Sequence, residues 1–314
     1  MELAQDVLTY YFTHASVLSP EKRFHLGARL AAWNRDPRAL ELLRASKALL
    51  VPKPVNDETL TAAFEQAAGV AVQHAEHMVA YDRRKLYFDR YPGLLGLEAE
   101  LFRLRHLQVF YNIDARPVFL RRYPLIELEE LERSLLDDPE AVRALSSWAV
   151  NFLYLLRRFV LQDESGIDVQ QLYAIGEGYD TADEEQLRLL SYLYTHCVIA
   201  ESNFYAREVP KQTLPVYRKM LRRLETISES RLDNMSLDTK LEFLVSCELI
   251  GYKTKLRDVI HKECAQSVSP EGTFIVDTHN TFAQKQAKKT FEASEHRNTL
   301  FVMSMLPRFD GQPT

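Results

Sequence analysis

The sequence predicts an all-α fold, and three observations support that prediction. Apolar residues recur at the spacing of an amphipathic helix in almost every segment of the 314 residues. The breaks between these segments carry helix-start signals, in which a capping side chain precedes a proline, as in Ser19-Pro20 and Asp138-Pro139. The chain also has only 10 glycines, which is fewer than a turn-rich β protein needs.

The helical pattern divides the chain into about twelve helices. They are expected at about 3–17, 20–33, 37–50, 57–90, 94–111, 125–136, 139–161, 184–205, 210–230, 236–250, 253–268 and 283–305. Because the connections are short, consecutive helices run antiparallel and form about six pairs. Such pairs build either an α/α toroid or a compact α-solenoid. A Thr-Phe-Ile-Val run predicts one short extended segment near 273–276.

These helices are expected to form a single domain over residues 1–314. The alternative is a subdivision into 1–162 and 181–314. The stretch between these two parts contains Gly166, Gly176 and Gly178. Glycines crowded in this way predict a large loop or a domain seam.

Composition and charge exclude several classes of protein. Hydrophobic residues make up 46% of the chain and charged residues 26%, so extensive disorder is excluded. The net charge of -5 provides no broad basic surface, and we expect no nucleic-acid partner. No uncharged stretch approaches the roughly 20 residues of a membrane-spanning helix, and we expect no membrane association. The glycine-rich loops that bind ATP or dinucleotides are absent from the sequence.

The cysteine count and the N-terminal residues predict a location. Three cysteines make an odd number, which favours reduced thiols over a disulfide framework. The residues Met1–Asp6 lack the basic and apolar regions of a secretory signal. The sequence therefore predicts a cytoplasmic protein.

The last quarter of the chain contains the first candidate site. Asp277 and His279 lie on a loop before the final helix, and His296 lies on the face of that helix that carries its apolar residues. Two histidines and a carboxylate can hold a divalent metal such as zinc, with one coordination position left open. They can equally form an acid–base pair. In the structural alternative, Asp277 caps the helix and His296 hydrogen-bonds a backbone carbonyl.

A second candidate lies on the helix at 184–205, one of the least charged in the chain. His196 and Asn203 share one face of it with Tyr192. An uncharged central helix with such a polar face is a suitable wall for a ligand pocket. We therefore assign His196, Asn203 and His296 as candidate catalytic residues. The alternative for His196 is a hydrogen-bonded histidine of the core.

Two further pairs have metal-ligand spacing but less suitable surroundings. His74 and His77 share a helical face that is followed at once by charged residues, which is typical of a solvated surface. His261 and Cys264 are also three residues apart, on a charged amphipathic helix without a second ligand pair.

The C-terminal third resembles the α/α toroids of the terpenoid-cyclase and protein-prenyltransferase type. The resemblance lies in the loop Gly272-Thr-Phe274, in Asp277, and in a helix that carries His296 before the apolar run Leu300–Met305. In the prenyltransferases a loop Asp, a Cys two residues later and a His on a later inner helix hold zinc. The resemblance therefore implies a zinc-binding role for Asp277 and His296, with His279 at the position of the Cys, and a central cavity.

Two functions follow from these patterns. The first is an enzyme whose central pocket uses a His/Asp set, through a bound metal or through acid–base chemistry, on a small or peptidic substrate. The second is a non-catalytic helical scaffold for a protein or peptide partner. The scaffold hypothesis predicts that the same polar residues are hydrogen-bonded within the protein. It also predicts that exposed aromatic residues lie on an outer face.

Overall fold

The computed structural model describes residues 1–76, 79–277 and 290–309. It describes the side chains of all these residues except 74, 76 and 79–83. Within these ranges the chain forms sixteen α-helices and no strand, which confirms the all-α prediction. The helices are α1 (Glu2–Thr13), α2 (Pro20–Asn34), α3 (Pro37–Leu50), α4 (Asp57–Glu76), α5 (Val79–Arg90), α6 (Leu94–Tyr111), α7 (Arg116–Arg122), α8 (Leu125–Leu136), α9 (Pro139–Leu145), α10 (Ser147–Leu155), α11 (Val169–Glu177), α12 (Glu184–Glu201), α13 (Leu214–Ser228), α14 (Leu237–Ile250), α15 (Arg257–Gln266) and α16 (Glu295–Met305). None of the described helices is both long enough and apolar enough to cross a membrane.

The chain divides into two compact units. Unit 1 consists of Met1–Ser46 and Thr181–Thr314, and unit 2 consists of Lys47–Asp180. The first boundary falls inside α3, and the second falls at the start of the predicted 181–314 part. The first 46 residues therefore pack with the C-terminal part of the chain.

Unit 1 is organised around α14 and α16. The helix α16 packs against α1, α2 and α14, and α14 also packs against α12, α13 and α15. Twelve of the fourteen residues of α14 are buried, so this helix is central. The N- and C-terminal segments are joined by a hydrogen bond from the Trp33 indole to the Leu306 carbonyl oxygen, at 3.1 Å.

Unit 2 is organised around α6, which packs against α4 and α10. The apolar face of α6 contributes fully buried side chains such as Leu101, Leu104 and Leu107. This helix starts after Gly93 and ends before Asn112, and both flanking residues have left-handed backbone conformations that terminate a helix cleanly.

Several helix-start predictions are confirmed by capping hydrogen bonds. The Ser19 hydroxyl accepts from the Lys22 backbone N–H at the start of α2. The Asp138 carboxylate accepts from the Ala141 backbone N–H at the start of α9. A left-handed Gly251 ends α14, as its position in the sequence predicts.

Other predicted elements differ from the structure. The predicted helix at 139–161 is broken at Ser146, whose φ of 51° no α-helix accommodates, and its last turn, 156–161, is π-helical. The predicted loop at 162–180 contains α11, because Asp168 caps it by accepting from the backbone N–H groups of Gln170 and Gln171. Near 273–276 the chain forms a single antiparallel bridge, between Val268 and Ile275, within the described residues. Of the predicted final helix, residues 283–289 lie outside the described residues, residues 290–294 form a bend and turns, and the helix begins at Glu295.

Candidate functional site

Four helices of unit 1 bring together one buried carboxylate and three histidines. The carboxylate is Glu242 of α14, and the imidazoles are His25 of α2, His196 of α12 and His296 of α16. We refer to these four residues as the histidine cluster. The cluster exists because α16 packs against both α2 and α14, while α14 packs against α12.

Glu242 lies between two of these imidazoles. Its Oε1 atom is 3.1 Å from Nε2 of His296, which is hydrogen-bond distance. Its Oε2 atom is 4.0 Å from Nε2 of His196 and accepts a 3.4 Å hydrogen bond from the Thr195 hydroxyl. The carboxylate is only 5% exposed, whereas the side chains of His196 and His296 are 21% and 29% exposed. The imidazoles thus connect a buried charge with solvent.

The local electrostatics favour an ionised Glu242 and a neutral His196. Burial alone would raise the pKa of Glu242, but the His296 hydrogen bond and the two imidazoles outweigh burial, and the pKa is lowered. Burial lowers the pKa of His196, and the attraction of Glu242 only partly opposes it. An ionised carboxylate only accepts hydrogen bonds, so Nε2 of His296 carries the hydrogen and its Nδ1 is left as a proton acceptor or donor site.

The His25 imidazole combines solvent exposure with strong desolvation. Its side chain is exposed, yet the surrounding protein is the largest cause of a pKa well below the ordinary value. The charges of Arg29 and Lys22 lower this pKa further, and so does His296. His25 therefore adds a solvent-exposed imidazole to the cluster.

Two cations of α2 lie next to the cluster, where both face one buried carboxylate. Glu295, the first residue of α16, is fully buried. Its two carboxylate oxygens face Lys22 Nζ at 3.6 Å and a terminal Arg29 nitrogen at 3.7 Å. The Thr299 hydroxyl donates to Oε1 of the same carboxylate at 2.9 Å. Glu295 therefore holds Lys22 and Arg29 of α2 beside the turn that carries His296.

A second ion pair and an aromatic ring brace the cluster. Arg297, only 1% exposed, donates to the Asp238 carboxylate at 2.8 Å and so ties α16 to α14. The Tyr192 ring packs edge to face against His196, with ring centroids 6.3 Å apart. Burial and the Glu242 charge raise the pKa of Tyr192, so this hydroxyl stays neutral. These contacts fix the positions of His196 and His296.

The predicted site residues have different positions relative to the cluster. The structure brings His196 and His296 to the same carboxylate, Glu242, whereas the predicted acid–base pair of His296 with Asp277 and His279 stays a prediction. Asn203 lies in the turn after α12, with a φ of 50°. Asp277 is buried at the end of the described segment 79–277, and His279 lies outside the described residues.

The metal prediction is not tested at its predicted position. Among the described residues, no group of three or more His, Cys, Asp and Glu side chains is arranged to hold a metal ion. The zinc set of Asp277, His279 and His296 includes one residue outside the described ranges, and it stays a prediction.

The two weaker histidine pairs do not add to this site. His77 lies outside the described residues, and the side chain of His74 is not described. His261 Nε2 is 3.0 Å from the Ser304 hydroxyl, and burial raises the pKa of Cys264 to about 12. A thiol with so high a pKa is a poor metal ligand, because the thiolate is the form that binds.

Glu242 and His25 were not singled out from the sequence. Glu242 stands in the run Leu241-Glu-Phe-Leu-Val245, where a carboxylate between apolar residues is a signal of a buried partner. His25 is three residues after Lys22 and four before Arg29, which places all three on one helical face. Both signals were present in the sequence, but neither identifies the partners supplied by α12 and α16.

A concave pocket of about 490 Å³ also lies in unit 1, away from the cluster. It is lined by Tyr10, Val268, Ser269, Pro270, Glu271, Phe274 and Val276. This lining is mainly apolar and includes no residue of the histidine cluster. We therefore base the functional interpretation on the cluster, where titratable groups converge.

Comparison of the chain with protein-family models found no match, and comparisons with curated proteins and with solved structures found none either.

Proposed function

We propose that unit 1 is a proton-transfer enzyme acting on a small or peptidic substrate, with the histidine cluster as its active site. The observation that carries the proposal is the position of Glu242, a buried carboxylate between two imidazoles that retain solvent access. Clustered titratable groups with shifted pKa values and access to solvent are characteristic of catalytic sites.

The two imidazoles have different roles in this proposal. His196 is the general base, because its lowered pKa keeps it neutral and able to accept a proton at neutral pH. Glu242 orients His296 through the 3.1 Å hydrogen bond, and its charge stabilises the imidazolium that forms when His196 takes a proton from the substrate. His196 then returns that proton to a leaving group or intermediate, while His296 holds the substrate through its other ring nitrogen. Tyr192 and Thr195 act only by positioning His196 and Glu242.

Proton transfer is favoured over a metal mechanism by the spacing of the cluster. Its Glu242–His196 separation of 4.0 Å is a charge–dipole distance. The zinc site at Asp277, His279 and His296 is tested separately, by metal analysis of protein purified without chelator or metal-affinity steps. One equivalent of zinc, lost in His296→Ala, would establish that site.

The scaffold alternative has less support from the described surface. It requires exposed aromatic side chains on an outer face. Among the described residues, Phe309 is the one exposed aromatic side chain, and its ring is covered by the Arg35 guanidinium at 4.3 Å.

Turnover of candidate substrates tests the proposed function. The wild type, His196→Gln and His296→Gln are incubated with mixtures of small metabolites and peptides, and consumption is followed by mass spectrometry. Loss of either imidazole should slow turnover by about 100-fold or more, with the melting temperature recorded for each variant. His14→Gln is the matched control, because His14 belongs to unit 1 and its ring hydrogen-bonds the Tyr10 backbone carbonyl at the end of α1. Consumption that is equal in all four proteins, or no greater than with heat-inactivated protein, would overturn the proposal.

The proposal includes a cytoplasmic location. Cys197, Cys247 and Cys264 are all unpaired and buried. Buried free thiols agree with a reducing compartment.

A further inference from the structure

We propose that Lys22, His25 and Arg29 of α2 form a phosphate-binding subsite, so that the substrate of the histidine cluster carries a phosphate group. That this phosphate belongs to a substrate rests on the proposed function, whereas the binding of phosphate does not.

The three residues share one face of α2. Spacings of three and four residues place Lys22, His25 and Arg29 along a single stripe of the helix. The stripe faces α16, because both outer members of the stripe reach Glu295 of that helix. Their three cationic or imidazole groups therefore converge on the same side of unit 1.

Glu295 positions the two cations without using up their donors. The separations of 3.6 and 3.7 Å are longer than a hydrogen bond. Within the described residues, Oε2 of Glu295 and a buried terminal nitrogen of Arg29 have no hydrogen-bond partner. Glu292 also acts on the Lys22 charge, so the two cations have two carboxylates near them, and anion binding depends on the unused donors. The arrangement is that of two cations that a buried carboxylate holds in place without hydrogen bonds.

His25 is the third donor of the subsite. Its ring is exposed and makes no hydrogen bond to any side chain or backbone group in the described part of the chain. An anion placed between Lys22 and Arg29 would favour the protonated imidazole and so add a donor. A phosphate offers more acceptor oxygens than a carboxylate and uses several donors at once, and arginine suits it particularly well.

The subsite adjoins the proton-transfer groups. Glu295 and His296 are consecutive residues of α16. His296 also interacts electrostatically with His25, and Arg29 with His196. A phosphate bound on α2 would therefore hold the rest of a small substrate against His196 and His296.

Phosphate titration tests the subsite directly. Inorganic phosphate is titrated into the full chain at constant ionic strength and followed by calorimetry, with acetate as the parallel arm. We expect saturable phosphate binding that Arg29→Gln weakens by about tenfold or more, and that His25→Gln weakens by a smaller factor. Arg38→Gln is the matched control, because Arg38 is a unit 1 cation of the next helix that pairs with Asp36 and not with Glu295.

Folding is kept separate from binding by the choice of variants. Arg29→Lys preserves the charge facing Glu295, and His25→Gln alters an exposed ring without hydrogen bonds, so at least one variant stays folded by circular dichroism. Three outcomes would each overturn the proposal. The first is that phosphate does not bind saturably, and the second is that His25→Gln and Arg29→Lys bind phosphate as tightly as the wild type. The third is that acetate binds as tightly as phosphate. Glu242→Gln separates the two proposals, because it should abolish turnover and leave phosphate binding intact. Turnover that depends on His196 without phosphate binding would remove the subsite alone.

Discussion

Each of the two units buries a glutamate to nearly the same extent, and the two carboxyl groups have opposite properties. Glu98 on α6 of unit 2 is 6% exposed, and Glu242 on α14 of unit 1 is 5% exposed. Burial raises the pKa of Glu98 to about 8, because its neutral partner, the Asn151 amide 3.0 Å away, compensates only in part. Two imidazoles lower the pKa of Glu242.

The comparison shows that partners, and not burial, decide whether a buried carboxyl is charged. At neutral pH, Glu98 is a neutral acid inside unit 2 and Glu242 is an anion inside unit 1. A neutral acid with an amide partner is a structural group, whereas an anion with accessible imidazoles can participate in proton transfer. This difference is the reason for placing the candidate active site in unit 1.

The pH dependence of stability should differ in sign between the two carboxyl sites. The folded-state pKa of Glu98 lies above its unfolded value. The contribution of this carboxyl group to the stability of unit 2 is therefore complete below about pH 4.5 and is lost as the pH rises towards 8. The loss amounts to at most about 1.4 kcal/mol for each pH unit in that window. Glu98→Gln should therefore stabilise unit 2 at pH 8.5 and much less at pH 5.

Unit 1 should respond in the opposite direction. Glu242 has a lowered pKa, so its contribution is present above the unfolded value and is lost as the pH falls through the folded value. The pKa values of His25 and His196 are also lowered, so the unfolded chain binds their protons first and stability falls below about pH 6.5. Hydrogen exchange measured by mass spectrometry between pH 5 and 8.5 follows each unit separately. Parallel pH profiles for α6 and α14 would contradict the comparison.

Replacing each glutamate by glutamine at pH 7 should give unequal effects. Glu242→Gln removes the charge that the His296 hydrogen bond uses, and we expect it to lower the free energy of unfolding by about 2 kcal/mol. Glu98→Gln keeps an uncharged group that can still accept from Asn151, and it should not destabilise the protein. Urea unfolding of both variants provides the measurement. A larger loss in Glu98→Gln would show that the assignments of charge are reversed.

Removing the cap of α14, the helix that carries Glu242, should have a smaller effect on stability than the pH changes and the Glu242→Gln substitution. The Ser236 hydroxyl accepts from the Thr239 backbone N–H at the start of α14. Ser236→Ala should lower the free energy of unfolding by about 1 kcal/mol, with faster hydrogen exchange confined to the first turn of α14. Asp168→Ala at the start of α11 is the matched substitution in unit 2. If Ser236→Ala destabilises the protein as much as Glu242→Gln does, then the capping hydrogen bond of α14, and not the charge of Glu242, determines the stability of the cluster.

The local elements were predictable where capping residues identify them. Ser19, Asp138 and Gly251 mark helix boundaries in the sequence, and the structure has helix termini at each of them. The break at Ser146 was not predictable, because serine has no preference for a φ of 51° and tertiary packing imposes that angle. The helix α11 was missed because Gly176 and Gly178 suggested a loop, whereas Asp168 caps a helix there.

The candidate site was predictable only in part. His196 and His296 were identified because they are polar residues on weakly charged helical faces. Their meeting at Glu242 depends on the packing of α14 against both α12 and α16, and no local pattern encodes which helices become neighbours. His25 belongs to a part of the chain about 270 residues away from His296, so only the folded structure connects the two.

The discontinuous course of unit 1 has a consequence for synthesis on the ribosome. All of unit 2, Lys47–Asp180, emerges between the two segments of unit 1, so it can fold while Met1–Ser46 still lack their partners. At about 5–20 residues per second, His25 waits roughly 15–50 s for His296 to be translated. During that interval the apolar faces of α1 and α2, which α16 covers in the finished protein, are available to chaperones.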